Sequence, residues 1–340
     1  MVVTNPYLSI LKTSSSMIAK KIPIDWHPEM SIFASEPFLK AAGDEYGWLG
    51  GFAESGELCC LLPYTIIKKG FIRMVRFRIE TIPLEKEFPI QEEKTFLNSV
   101  IDFFRANGAD MVIPATTNTI FRTYPDGAVA APYGTYIIDL HQSEDKLWSG
   151  LNTSHRRNIR RALDSGVAVK NGLDQLKIVY QLVRETFKRS SIPFMGYESF
   201  SRMVESLGEY IRIFVAEHNG EVQGCTVVPF SQHRAYYVYG GSCPQPVPGA
   251  NNLLHWHAIQ EFKGLGVKHY DFVGTRINPE KGSKQEGIMT FKKRFGAELI
   301  QGFMWKYSLN RLPYSVYSMA IRLRRGGDIV DIEKHKFSKP

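Results

Sequence analysis

The chain has 340 residues, 44% hydrophobic and 22% charged, with a formal net charge of +8. That composition excludes a disordered chain and leaves room for two domains of ordinary size. No run approaches the roughly 18 apolar residues that span a bilayer. Residues 1–21 carry their lysines after the apolar stretch instead of before it, so no signal peptide is read and a cytoplasmic location is expected. Four cysteines lack metal-site spacing and read as small buried hydrophobes; no metal is expected. The basic excess favours anionic partners (phosphates, nucleic acid, an acidic membrane surface) without choosing among them.

In chain order, residues 1–30 read as a strap or lead-in. Ser35-Glu36-Pro37 opens a short helix at 38–42. Residues 48–53 and 58–67 form a hairpin closed by Glu54-Ser55-Gly56-Glu57. A strand at 74–82 carries Arg76 and Arg78. A helix at 92–106, a strand at 110–114, a turn-rich stretch at 131–135 and a strand at 136–140 follow. Ser143 caps a helix entered by Leu147 and Trp148. Then come helices at 175–189 and 197–207, strands at 212–217, 222–230 and 235–239, and a helix at 251–262. A strand at 269–273, a short helix at 289–295, a strand at 299–308 and a helix at 314–325 complete the order. Gly326-Gly327 stops that last helix, and residues 328–340 read as a loose polar tail.

The chain repeats itself. One constant shift superposes Ile101 on Ile259, Phe104 on Phe262, Gly108 on Gly266 and Thr117 on Thr275, in two helix–glycine–strand phrases. A hairpin precedes each, at 50–64 and at 213–230. Two phrases recurring in one order indicate a duplicated supersecondary unit. The order is not doubly wound; it predicts an α/β chain with a mixed sheet flanked by helices.

Three stretches carry a family resemblance: Ser154-His155-Arg156-Arg157-Asn158-Ile159-Arg160-Arg161; Tyr237-Val238-Tyr239-Gly240-Gly241 with Tyr270-Asp271-Phe272-Val273-Gly274; and Met289-Thr290-Phe291-Lys292-Lys293-Arg294-Phe295-Gly296. The element order resembles the GNAT N-acetyltransferase fold. Two copies in one chain resemble the FemAB-like non-ribosomal peptidyltransferases, here without sustained heptads for a coiled-coil arm. The resemblance implies two GNAT-like domains facing a central cleft. The first is residues 1–142, completed by a C-terminal helix within 310–340; the second is 143–309 and holds the donor. It implies an N-acyltransferase that moves an aminoacyl or acyl group from aminoacyl-tRNA or acyl-CoA to an amine, such as a peptidoglycan precursor. No permanently bound cofactor, DNA partner or membrane span is implied.

Candidate residues follow. At about 100° per residue, Arg156, Arg157, Arg160 and Arg161 share an arc of about 140° opposite Ile159 and Ala162, so guanidinium forks could grip donor phosphates or an RNA backbone. A solvated helix face is the alternative. The resemblance points to Phe291 and Lys292 as a functional pair. Acyl transfer builds negative charge on the carbonyl oxygen, and a cation such as Lys292 stabilises it, with Phe291 walling the pocket. Tyr237 and Tyr239, two apart on one strand, share a face that either lines the cleft for the acceptor or belongs to an aromatic core. Glycines 240 and 241 permit close approach of the donor. The helix start at Pro248-Gly249-Ala250-Asn251 is a phosphate-binding terminus, with Gly249 and Asn251 as donor contacts. It lacks the basic residue and paired glycines of acetyl-CoA-binding GNAT proteins. The resemblance makes Arg189 and Tyr197 acceptor contacts. Asp271 is the candidate carboxylate for assisting the amine, with a structural role as the alternative. His255 and His257 lie about 200° apart on one helix and cannot share a metal. Two rivals remain open: an acyl-CoA-dependent enzyme of polysaccharide synthesis and a non-catalytic RNA-binding relative. A membrane role for 314–325 has little support in sequence; the resemblance gives that helix to bracing the first domain.

Overall fold

A computed structural model describes residues 16–190 and 192–337. The first half contains Ile18–Ile22 (β1), Glu36–Ala42 (α1), Glu45–Phe52 (β2), Leu58–Lys69 (β3), Ile72–Phe77 (β4), Ile82–Pro83 (β5), Ile90–Ala106 (α2), Met111–Val112 (β6) and Val129–Asp139 (β7). The second contains Glu144–Gly150 (α3), Thr153–Asp164 (α4), Ala168–Asn171 (β8), Leu176–Lys188 (α5), Tyr197–Leu207 (α6), Ile211–His218 (β9), Glu221–Pro229 (β10), Ala235–Tyr236 (β11) and Tyr239–Ser242 (β12). Ala250–Gly264 (α7), His269–Asp271 (β13), Lys284–Lys293 (α8), Glu298–Ser308 (β14), Arg311–Arg325 (α9) and Ile329–Phe337 (α10) complete it.

The duplication is visible as topology. The hairpin β2–β3 leads to β4, α2 and β6, with β4 and β6 parallel. The hairpin β9–β10 leads to β11, α7 and β13, with β11 and β13 parallel. A mixed ten-stranded sheet runs β1-β2-β3-β4-β6-β14-β7-β13-β11, with β5 beside β3. Its joint is β14, which pairs with β7 from Glu298 to Lys306 and with β6 at Tyr307 and Ser308. A separate four-stranded sheet runs β12-β10-β9-β8.

The strand expected at 235–239 is therefore two strands in two sheets. The Tyr237 N–H still donates to the Asp271 carbonyl (2.8 Å), as β11 does to its neighbour, but the Val238 N–H donates to Val227 (3.2 Å) in the other sheet. The chain changes sheets between these residues, which opens a wedge. α5 fills one side of it, because Gly241 has no side chain: a Cβ there would lie 2.5 Å from the Leu182 carbonyl. At Gly240 a Cβ would lie 2.0 Å from the Tyr237 hydroxyl. The close approach expected for a donor at these glycines is made by the protein's own atoms.

Three apolar cores hold the layers. Phe96, Leu97, Val100, Ile101 and Phe104, on one stripe of α2, pack on Cys60, Leu62, Val75 and Phe77 of the first half. Trp256, Ile259 and Phe262 of α7 pack on Tyr136, Ile138, Tyr270 and Phe272. A third core is shared: Phe33, Trp48 and Ile79 meet Val179, Phe200, Ile213, Tyr236 and Val273. Across the same seam the Tyr236 hydroxyl donates to Ser31 Oγ (2.9 Å).

Two further expectations change. Residues 131–135 are not turns but the middle of β7, paired with β14 from Ile300 to Met304. The tail is not loose over α10: Val330 is fully buried, and Lys306 Nζ pairs with Asp328 (2.7 Å) and Asp331 (2.6 Å) at its start. Residues 1–15 of the expected strap and 338–340 of the tail lie outside the described residues. Tyr314 and Tyr317 of α9 pack on Met74, Met111 and Ile113 of the first half, where a brace was expected.

Candidate active site

Lys292 stands at the centre of the seam. Ser283 caps α8 by accepting from the Glu286 N–H (3.3 Å), and the helix runs to Lys293, placing Lys292 on its last turn with its side chain inward. The residue is 6% exposed. Its ammonium donates to the carbonyls of Val273 and Gly274, the latter at 2.7 Å. Burial pushes its pKa down to about 8, with Asp271 pulling the other way. An ammonium has three N–H bonds, so one remains beyond these two carbonyls.

The two carbonyls are aimed by an unusual turn. Val273 has φ +40° and Gly274 has φ +37°. A β-branched residue in the left-handed region costs on the order of 1–3 kcal/mol and persists only where its surroundings over-determine it. Here they do. The Gly274 N–H donates to the Thr117 carbonyl (2.9 Å), and Thr275 and Gly134 exchange two backbone bonds (2.7 and 3.1 Å). A Cβ on Gly274 would lie 2.8 Å from Thr117. The turn that holds the lysine is thus clamped by the first half of the chain.

Asp271 completes the clamp. It is fully buried; Oδ1 accepts from Thr135 Oγ1 (2.5 Å) and the Val273 N–H (2.8 Å), and Oδ2 accepts from Arg234 Nη1 (3.1 Å). Both oxygens are engaged, so the expected part in deprotonating an amine gives way to a structural one: Asp271 fixes the turn and lies close enough to raise the lysine's pKa. Sequence reasoning missed Arg234, which also stacks over Tyr236 at 5.6 Å. Its number in the chain gives no hint of a partner 37 residues away.

Phe291 is half-buried among aromatic rings, with His155 at 5.2 Å, His255 at 5.5 Å and Phe295 at 5.2 Å. It walls the space between α4, α7 and α8. Burial pushes His255 down to about 3, and its Nδ1 meets the Tyr270 hydroxyl at 2.9 Å. No group of three or more metal-ligating side chains occurs among the described residues.

The arginine face is only partly as expected. Arg156 turns back: its Nη1 donates to the carbonyls of Ser149 (2.8 Å) and Leu151 (2.5 Å), capping the end of α3. Arg157, Arg160 and Arg161 are exposed, with Arg160 over the Trp148 ring at 5.6 Å. Gly249 precedes α7 with φ +93°, and a Cβ there would lie 2.0 Å from the Asn158 carbonyl. α4 therefore lies directly on the start of α7. Asn251 is half-buried with its Oδ1 beside Gly224. Gly249→Ala should combine a strained φ with a backbone clash. An apparent loss of at least about 2 kcal/mol is expected in urea unfolding. An unchanged midpoint would mean that α4 does not rest on this turn.

Tyr237 and Tyr239 do not share a face. Tyr237 packs edge-on to His255 (4.4 Å), near Phe291. Tyr239 lies on the other side of the wedge against Phe194 (5.1 Å) and Phe187 (6.0 Å). On that side too, Arg189 donates to Thr186 Oγ1 (3.0 Å) and the Ser242 carbonyl (3.3 Å), and Tyr197 packs on Tyr180 (5.3 Å). Arg76 and Arg78 face Tyr239: burial raises its phenol pKa while the two guanidiniums pull it down. Neither arginine has a carboxylate partner among the described residues. Arg76 Nε donates to the Pro114 carbonyl (3.1 Å) and Arg78 Nε to Thr65 Oγ1 (2.9 Å), and burial with Arg76 nearby pushes Arg78 down to about 9. Their alternation was legible in sequence; the missing counter-charge was not. A cavity of ≈ 340 Å³ lies nearby between Glu80, Asn118, Ile120 and Thr135 of the first half and Arg234 and Glu298 of the second.

Comparison with known proteins gives the same architecture. Residues 151–293 match the family model "Acetyltransferase (GNAT) domain". The lipid II:glycine glycyltransferase of Staphylococcus saprophyticus is 28% identical over 116 residues, which is 33% of this chain and 28% of that protein's length. Among solved structures, FemX superposes with a TM-score of 0.62 at 15% identity, covering 82% of this chain and 92% of that one. A tandem GNAT protein from the clavulanic acid biosynthesis pathway superposes with a TM-score of 0.50 at 14% identity, covering 81% and 86%. Residues 151–293 thus carry a GNAT-type acetyltransferase domain, and over most of its length the chain, with its doubled topology and sheet wedge, has the fold of FemX.

Proposed function

We propose that this chain is an N-acyltransferase that passes an aminoacyl or acyl group from an activated donor to an amine on a cell-wall precursor. The observation that carries the reading is the Lys292 ammonium, buried at the seam and held by the two carbonyls of a strained turn. Such a cation, with one N–H remaining, suits an oxygen on which charge develops. The donor carbonyl is already activated, so attack by the amine needs no covalent enzyme intermediate. The amine's proton leaves through water or the substrates' own groups. Orientation by both halves supplies the rest of the rate.

Phe291 and Tyr237 wall the donor side, beside the exposed forks of Arg157, Arg160 and Arg161. α4 covering the α7 N-terminus, together with the absence of the acetyl-CoA loop pattern, favours an RNA-borne donor over acyl-CoA. Tyr239, Arg189, Tyr197 and the uncompensated Arg76 and Arg78 line the acceptor side. The lipid II acceptor named for the Staphylococcus saprophyticus relative supports a precursor amine. A cytoplasmic location follows from that reading; among the described residues no helix is long and apolar enough to cross a membrane.

The direct test offers radiolabelled glycyl-tRNA and acetyl-CoA in parallel, with lipid II or its soluble pentapeptide precursor as acceptor. Label in the acceptor from glycyl-tRNA, and little from acetyl-CoA, is expected. Transfer from neither donor to either acceptor would overturn the reading. Transfer from acetyl-CoA alone would keep the chemistry and reverse the donor assignment.

A further inference from the structure

α9 has two apolar faces. At about 100° per residue, Tyr314, Tyr317 and Ile321 fall within about 60° of one another. They are the half-buried side that meets the body of the protein. Leu312, Val316, Met319 and Leu323 also fall within about 60°, on the opposite side. They are 79%, 58%, 61% and 82% exposed. Leu312, Val316 and Leu323 stand at helical spacing with Met319 between, which makes a continuous stripe, not scattered surface residues.

The flanks of the stripe carry one sign of charge. Arg311 and Arg322 lie on one side of it and Arg324 on the other, with Arg325 near the C-terminus, and α9 contains no Asp or Glu. The β3–β4 hairpin lies beside α9. Ile67 and Ile72, beside the turn of that hairpin, pack with Tyr314 and Tyr317 in one small core. The hairpin tip presents Phe71, 89% exposed, next to Lys68, Lys69 and Gly70. Among the described residues α10 packs mainly on β7 and β14.

We propose that this face, the outer stripe of α9 with the Phe71 hairpin tip, docks in the plane of an anionic lipid bilayer. Apolar side chains on one face and arginines beside them are the composition of a helix that lies in the headgroup region. The arginines would meet lipid phosphates, and Leu312, Val316, Met319, Leu323 and Phe71 would enter the acyl boundary. The charge pattern favours this occupant: a second copy packed through the same helix would bring four more arginines to the contact and no α9 carboxylate to offset them. The tyrosines of α9 pack on the first half; its other face is free for a separate use. Docking here needs no acyl transfer, so it stands or falls apart from the enzymatic reading.

The test uses the full chain and sedimentation with vesicles of phosphatidylcholine alone or with phosphatidylglycerol at about one part in three. Binding to the anionic vesicles, weakened by salt and small on phosphatidylcholine, is expected. Leu312→Gln with Leu323→Gln, both on exposed positions, should raise the lipid needed for half-binding about tenfold or more. Arg322→Glu with Arg324→Glu should do so on anionic vesicles only. Circular dichroism and melting should remain those of the parent. Binding unchanged in both variants would overturn the proposal. So would a concentration-dependent dimer in analytical ultracentrifugation that the leucine variant dissociates, since the stripe would then belong to a second copy.

Discussion

Lys292→Met should abolish nearly all acyl transfer while leaving the fold in place. Removing one donor aimed at a developing oxyanion costs on the order of 10²–10³ in kcat. The loss should fall on kcat and leave the binding of charged tRNA within about twofold, because the cation acts on charge that exists only in the transition state. Stability should move little, within about 2 kcal/mol. The variant leaves the Val273 and Gly274 carbonyls without their donor, a cost, but it also removes a buried charge, a gain of similar size. Single-turnover transfer assays beside urea unfolding would check both halves of this expectation. A variant that keeps its kcat would remove the lysine from the mechanism. One that fails to fold would make it a structural residue, and Lys292→Arg, which keeps the charge, would then be expected to refold without restoring rate.

Asp271→Asn should be the most damaging change to stability. The residue is fully buried and joins Arg234, Thr135 and the Val273 N–H. Replacing it leaves the largely buried Arg234 guanidinium without its bonded carboxylate and with only Glu80 as a charge of opposite sign; breaking a fully buried pair from one side costs about 3–5 kcal/mol, which sets the upper end of the loss. Arg234→Met with Asp271→Asn together should recover part of that loss, since neither charge is then stranded. The double-mutant cycle in urea is the measurement; simple additivity would mean the pair is not coupled. A second effect is kinetic. Asp271 holds the Lys292 pKa up against desolvation, so its removal should lower the pH at which the lysine loses its proton.

Much of this architecture could be read along the chain. The apolar stripe of α2, the caps at Ser35 and Ser143 and the shift that maps Phe104 on Phe262 are local patterns, and each appears where the residues placed it. The misreadings share one cause: a local pattern does not name the distant partners that a segment meets. Tyr237 and Tyr239 alternate as one strand would, yet hydrogen bonds to Asp271 and then to Val227 carry them into separate sheets. Ala131-Pro132-Tyr133-Gly134 has turn composition, but pairing along β14 overrides local preference. Arg156 looked like its neighbours until the end of α3 supplied carbonyls for it. The tail became a helix because Lys306, on a distant strand, meets Asp328 and Asp331. The Lys292 site was legible only as a resemblance; the strained Val273-Gly274 turn that aims two carbonyls at it left no mark in sequence.

The pH dependence of transfer tests the role of the buried ammonium most directly. Burial sets the Lys292 pKa in the folded protein at about 8, below its ordinary value of 10.5. The charged form therefore persists below about 8 and is lost above it. Between about 8 and 10.5 the unfolded chain binds the extra proton, so this group's contribution to stability rises with pH over that window while the catalytic cation disappears. Single-turnover rates should climb as the acceptor amine loses its proton, then fall along a limb near pH 8 although the protein remains folded. A rate that keeps rising to pH 10 would contradict the assignment of the lysine cation as the group that stabilises the oxyanion.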